Sequence, residues 1–142
     1  MICMYTYQLI AKENIQSIIP LLQILNDKIS KEVLQERLAE MVERGYECLG
    51  VYEGDQLIGI CGLWILMKYY VGRHLEPDNV MILPEYRGKG IGEKMMEWVY
   101  EYGRSKGCIA SELNCYVSNS GGQKFWANEE YRIIGFHYQR KL

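Results

Sequence analysis

The chain has 142 residues, enough for one domain, 1–142, with a sizeable core; 49% are apolar and 24% charged, as in ordinary globular proteins. A net charge of −2 lacks the basic footprint of a nucleic-acid binder, so no nucleic-acid partner is expected. No apolar run approaches a membrane span, since the longest, 58–67, is broken by Gly59 and Gly62, and no membrane partner is expected either.

Residues 3–10, with Tyr5, Tyr7 and Leu9 on one face, read as a first strand. Glu13 and Asn14 open a helix with Asn14 as N-cap, and Ile15, Ile18, Ile19, Leu22 and Leu25 follow at helical spacing. Pro20 inside that pattern either kinks the helix or marks a later start, because it lacks an N–H and its ring clashes with the preceding turn. Ser30 is a good N-cap for a helix over 31–44, with Leu34, Leu38, Met41 and Val42 as its stripe and Gly45 just past its end. Strands over 47–52 and 56–66, joined by Glu53-Gly54-Asp55, form a hairpin. Gly59 and Gly62 in the second strand point to a bulge or a close backbone approach.

In the 67–75 stretch Tyr69, Tyr70 and Val71 favour strand and Gly72-Arg73 a turn. Pro77-Asp78-Asn79 leads into an apolar strand over 79–83. A helix over 91–106 buries Ile91, Met95, Trp98, Val99 and Tyr102, leaves Glu93, Lys94, Glu97, Glu101 and Arg104 to solvent, and stops at Gly107. Leu113, Cys115 and Val117 alternate along a strand over 111–117. A short helix over 119–130 and a last strand over 131–142, interrupted at Gly135, complete an α/β mixture with an antiparallel first half and a βαβ-like second half. Cys3, Cys48, Cys61, Cys108 and Cys115 are odd in number and lack CxxC spacing, so they read as reduced thiols of a cytoplasmic protein. His74 and His137 are the only histidines and neither has a cysteine at ligand spacing, so no metal is expected. Met1 to Ile10 has no basic start, so no signal peptide is expected.

The glycine turn Arg87-Gly88-Lys89-Gly90-Ile91-Gly92 sits between the strand 79–83 and the helix that follows. Glycines at a helix head leave backbone N–H groups open to an anion, and the helix dipole favours negative charge there. Arg87 and Lys89 add positive charge. A phosphate or pyrophosphate suits this chemistry; a strand-to-helix turn that needs glycine only for geometry is the alternative. Neither the Walker pattern nor GxGxxG is met.

This turn, in the setting of an apolar strand, Pro84 and Tyr86, resembles the Q/R-x-x-G-x-G/A signature of GNAT-superfamily N-acetyltransferases. Asn119 followed by Phe125-Trp126 resembles that family's second motif, and Tyr131 to Leu142 its closing strand. The resemblance implies a mixed, mostly antiparallel sheet of six or seven strands with about four helices and splayed central parallel strands. It also implies acetyl-CoA as co-substrate. Residues 88–92 (Gly88, Lys89, Gly90, Ile91, Gly92) would hold the pyrophosphate, with Arg87 alongside. The backbone of Val80, Met81 and Ile82 would meet the pantetheine arm, and Asn119 the coenzyme. Phe125 and Trp126 would pack near the arm or serve the core alone.

The implied reaction is direct acetyl transfer to a primary amine. A carboxylate on the cofactor strand would accept the amine proton; Glu76 is preferred over Asp78. A backbone N–H near Ile82 would polarise the thioester carbonyl. Trp126 stands where similar proteins place a tyrosine acid, which leaves Tyr131, Tyr116 or water to protonate the leaving thiolate. A non-catalytic acyl-CoA sensor and a transferase of longer acyl chains are the other two readings. The acceptor would be bounded by 26–33 and 66–76, and twelve tyrosines leave room for a homodimer interface.

Overall fold

The computed structural model describes residues 4–142. The elements run β1 (Tyr5–Leu9), α1 (Ile19–Leu25), α2 (Lys31–Glu43), β2 (Glu47–Glu53), β3 (Gln56–Lys68), β4 (Gly72–Ile82), α3 (Ile91–Ser105), β5 (Ala110–Ser111) and α4 (Ser120–Asn128). The sheet order is β1-β2-β3-β4-β5, antiparallel except for the parallel β4–β5 pair. Among the described residues this is the expected mixed sheet with four α-helices, built on five strands rather than six or seven. Cys3 and the opening residues of the expected first strand and of the Met1–Ile10 stretch lie outside the described residues.

Helices cover both faces of the sheet. Ile18, Ile19 and Leu22 join Leu34 and Leu38 of α2 over Cys48, Ile60 and Met81 on one face. Ile91, Met95, Met96 and Val99 of α3 pack over Leu49, Val51, Cys61 and Leu75 on the other. Each fully buried aliphatic side chain stabilises this arrangement by about 1.5–3 kcal/mol. Ile58 and Ile60 should share a face by strand alternation, yet they go to opposite ones. A register shift at Val51/Tyr52 makes Ile58 the extra residue of a bulge, which flips the face.

Several expected boundaries move. Asn14 is not an N-cap: it lies inside a 3₁₀ segment, Lys12–Ile18, and its N–H donates to Ala11 O at 2.8 Å. The α-helix starts later, with Pro20 in its first turn, where a missing N–H costs nothing. Ser30 caps α2 as expected, its Oγ accepting from Val33 N at 3.3 Å. The turn expected at Gly72-Arg73 falls at 69–71, and β4 runs unbroken through Pro77 to Ile82, because Gly72 already pairs with Lys68. Of the strand expected over 111–117 only Ser111 is in one, the two-residue β5, and among the described residues none forms over 131–142. In both places apolar residues recur at strand spacing, Leu113, Cys115 and Val117 in one and Ile134, Phe136 and Tyr138 in the other, but among the described residues no neighbouring backbone supplies the ladder. No helix among the described residues is long and apolar enough to cross a membrane.

Candidate active site

The glycine turn lies where β4 hands over to α3. Gly88 and Gly90 have φ of 74° and 77°, the left-handed region that side chains with a Cβ rarely adopt, and the space a Cβ would take at each is open. Gly90 stands at the N-cap without a side-chain cap. The first helical bond is Lys94 N to Gly90 O, 3.3 Å. Among the described residues, the N–H groups of residues 88–93 therefore donate to no protein acceptor. Six consecutive free donors at the positive end of a 15-residue helix make a cradle for an anion. Gly92 has a different task. A Cβ there would stand 3.0 Å from Phe125 Cε1, so this glycine lets α4 seat against the head of α3. The two cations are engaged nearby. Arg87 Nε donates to Ile82 O at 2.9 Å, and Lys89 Nζ lies 5.5 Å from the centre of the Tyr86 ring.

β4 carries a second bulge. Opposite it, Ile60 pairs with Met81 and Gly62 with Asp78, so β4 spends one residue more than β3. Asn79 absorbs the extra length at φ 53°, a conformation asparagine tolerates better than most residues. Tyr46 OH donates to Asn79 Oδ1 at 3.1 Å, and Asp78 Oδ1 accepts from Asn79 N at 2.9 Å. Asp78 Oδ2 accepts from Trp64 Nε1 at 3.0 Å. Gly62 is required here because a Cβ would come within 2.6 Å of Asp78 O and 2.5 Å of Tyr46 OH. The expected bulge and the expected close approach are thus the same feature. Beyond the bulge Met81 points into the α1–α2 core, while Val80 and Ile82 pack on the α3 side.

On its other edge β4 pairs with β5 only at His74–Ala110 and Leu75–Ser111, followed by Glu112 N to Leu75 O at 2.9 Å. From residue 76 onward β4 and the segment after β5 share no ladder, so the strands part ahead of the glycine turn. At the point of parting sits a cluster that sequence reasoning missed. His74 is fully buried; its Nδ1 lies 3.1 Å from Gly72 O and its Nε2 2.9 Å from Glu76 Oε2. Glu112 Oε1 is 3.9 Å from the same Nε2 and accepts from Tyr70 OH at 2.5 Å. Lys68 Nζ lies 3.7 Å from Glu76. The available signal was the i, i+2 spacing of His74 and Glu76, which puts both on one face of a strand. The expectation of no metal weighed cysteines alone, whereas here one imidazole and two carboxylates have ligand atoms within 4.8 Å of one another. Glu76 and Asp78 are separated by their partners, since both Asp78 oxygens are spent on the bulge.

At the far side Asn119 caps α4, its Oδ1 accepting from Gly122 N at 2.9 Å. Phe125 meets Trp126 edge-on, and Trp126 meets Tyr131 edge-on at 5.3 Å between centroids. Tyr131 OH is 2.6 Å from Ser111 Oγ. Burial raises the Tyr131 pKa, and hydrogen bonds with Ser111 and Tyr100 partly offset it, so the hydroxyl stays protonated near neutral pH. Tyr116, the other tyrosine considered, is exposed.

Residues 16–130 match the acetyltransferase (GNAT) family. The chain belongs to the GNAT acetyltransferase family. Among similar sequences, a Bacillus subtilis (strain 168) protein provisionally named a [ribosomal protein bS18]-alanine N-acetyltransferase is 34% identical over 85 residues, 59% of this chain and 53% of that protein. The chain thus spans about half the length of that relative. The uncharacterized N-acetyltransferase YhdJ of the same bacterium is 22% identical over 94% of this chain and 95% of its own. An aminoglycoside N-acetyltransferase solved in complex with CoA superposes at a TM-score of 0.84, covering 97% of this chain and 95% of its own at 16% identity. At that identity the likeness shows the fold. In this GNAT chain the glycine turn, the bulged β4 and the parted β4–β5 pair lie within the matched residues.

Proposed function

We propose that this chain transfers an acetyl group from acetyl-CoA directly to the primary amine of an acceptor, and that residues 1–142 form one N-acetyltransferase domain. The observation that carries the reading is the run of unpaired N–H groups over 88–93, at the end of a strand whose outer edge is free from residue 76. Gly88, Lys89, Gly90, Ile91 and Gly92 would hold the pyrophosphate through these donors. The free edge at Val80, Met81 and Ile82 would take the pantetheine arm. Arg87 would act first by tying down the end of β4 and only then through its charge. Phe125 and Trp126 would wall the coenzyme side, and Asn119 would present its free amide nitrogen while its oxygen caps α4.

An amine attacks only when neutral, so a base must take its proton. Glu76 suits that role, directly or through a water, because Asp78 has no oxygen to spare. His74 holds Glu76 in place from a fully buried position. An N–H near Ile82 would polarise the thioester carbonyl. Tyr131, protonated and set against Trp126, would return a proton to the leaving thiolate, which needs little help because a thiol pKa is near 8.5. Free Cys48, Cys61, Cys108 and Cys115 suit a cytoplasmic setting. The acceptor class is open to a direct test: a panel of small amines and peptide N-termini, with released CoA thiol as readout. Thiol release that depends on at least one amine is expected. Tight acetyl-CoA binding with no amine-dependent release across a broad panel would contradict the reading.

A further inference from the structure

We propose that His74, Glu76 and Glu112 form a site for one divalent transition-metal ion of the zinc class. His74 and Glu76 stand two apart on β4 and so share a face. Glu112 joins them because its N–H bonds Leu75 O at 2.9 Å, which fixes the segment just after β5 beside β4. His74 Nε2 then lies 2.9 Å from Glu76 Oε2 and 3.9 Å from Glu112 Oε1. All three ligand atoms fall within 4.8 Å of one another, and among the described residues no other set of three such side chains does so.

The imidazole's own bonds call for a cation here. His74 is fully buried, and its Nδ1 sits 3.1 Å from Gly72 O. A carbonyl can only accept, so Nδ1 carries the hydrogen and Nε2 is the nitrogen turned toward the carboxylates. Metal-binding histidines are held in this way, the second ring nitrogen donating to a carbonyl that fixes tautomer and ring. A lone pair on Nε2 facing two carboxylates is favourable only with a positive centre between them. A proton would be satisfied by Glu76 alone and would leave Glu112 without a share, whereas a zinc-like ion takes all three ligands. Tyr70 OH donates to Glu112 Oε1 at 2.5 Å, the kind of orienting bond that ligating carboxylates carry.

The donor set selects the ion. One imidazole with carboxylates suits zinc and its neighbours, while magnesium and calcium take oxygen alone. Zinc holds nitrogen and oxygen at about 2.0–2.2 Å, so its ligands stand roughly 3–3.5 Å apart. Small rotations of the two glutamates reach that spacing. Their side chains are 19% and 18% exposed, which gives an ion a way in from solvent. Lys68 Nζ, 3.7 Å from Glu76, belongs to a side chain that is 48% exposed and can swing to water as the ion arrives. The site needs neither coenzyme nor acceptor, so the inference stands apart from the acyl-transfer reading. Under that reading, the loaded chain would have lost its free base.

Calorimetric titration of zinc chloride into the full chain without acetyl-CoA tests it, with cobalt(II) absorption as a second readout. One ion per chain is expected, with cobalt d–d bands and no thiolate charge-transfer band. His74→Gln and Glu112→Gln should each weaken zinc binding by at least about tenfold. Glu112→Gln, at a partly exposed position, covers the case in which the buried His74 variant fails to fold. His137→Ala, which removes the exposed histidine, should leave the affinity unchanged. No saturable zinc binding would overturn the proposal and leave a proton as the bridge of the cluster. Binding that survives Glu112→Gln, that falls with His137→Ala, or that shows thiolate charge transfer would overturn it as well.

Discussion

At the scale of single residues, two carboxylates two positions apart on β4 have been given different work by their neighbours. Asp78 spends both oxygens on Trp64 Nε1 and Asn79 N, and so holds the bulge. Glu76 faces the buried His74 and an edge with no ladder. The two substitutions should therefore separate. Glu76→Gln is expected to lower kcat by roughly 10²-fold or more, the usual contribution of a positioned base, with acetyl-CoA affinity unchanged. Asp78→Asn is expected to weaken the fold by about 1–3 kcal/mol, since it removes a charge from two hydrogen bonds. Steady-state kinetics beside urea unfolding checks both; equal kinetic losses with equal stabilities would remove the distinction.

Between elements, the site depends on how closely β3 and β4 approach. Gly62 leaves room for the Asp78 carbonyl and the Tyr46 hydroxyl, so Gly62→Ala must push apart backbone rather than a flexible side-chain end. The expected cost is about 1–3 kcal/mol in urea unfolding, with weaker acetyl-CoA binding because the bulge aims the end of β4. An alanine variant as stable as the parent would show that the bulge yields freely. Elements with local signals were legible in the sequence: the Ser30 cap, the Glu53–Asp55 turn, the glycine turn before α3 and the helix expected over 91–106, whose stripe holds at Ile91, Met95 and Val99 while Trp98 and Tyr102 are half-buried and Met96 takes a core place. Features set by distant partners were not. Alternation at Leu113, Cys115 and Val117 announces a strand, yet a ladder needs a neighbour that alternation cannot name. Asn14 has a capping side chain, but Pro20 sets where the α-helix begins. His74 and Glu112 meet only because β5 pairs with β4, which no spacing reveals.

Over the whole molecule, the core holds titratable groups in their neutral forms. Burial pushes the Cys48 thiol up from 9.0 to about 12 and the Cys61 thiol well above 9.0. It raises the Tyr46 and Tyr100 hydroxyls as well. A group whose folded pKa is raised keeps its proton where the unfolded chain has lost it. Its contribution is complete below the unfolded pKa and disappears as pH climbs toward the folded one. The fold should thus hold its urea midpoint up to about pH 9 and lose stability steadily between about pH 9 and pH 12, with Cys48 alone accounting for at most about 4 kcal/mol. An unchanged midpoint from about pH 8 to about pH 11 would contradict this. The central claim is that the head of α3 is a pyrophosphate cradle, and calorimetric titration of acetyl-CoA into the parent chain and into Gly90→Glu tests it most directly. The account predicts saturable binding by the parent and none by a folded Gly90→Glu, whose side chain would bring negative charge into the cradle and strain a φ of 77°. No binding by the parent, or equal binding by both, would contradict it.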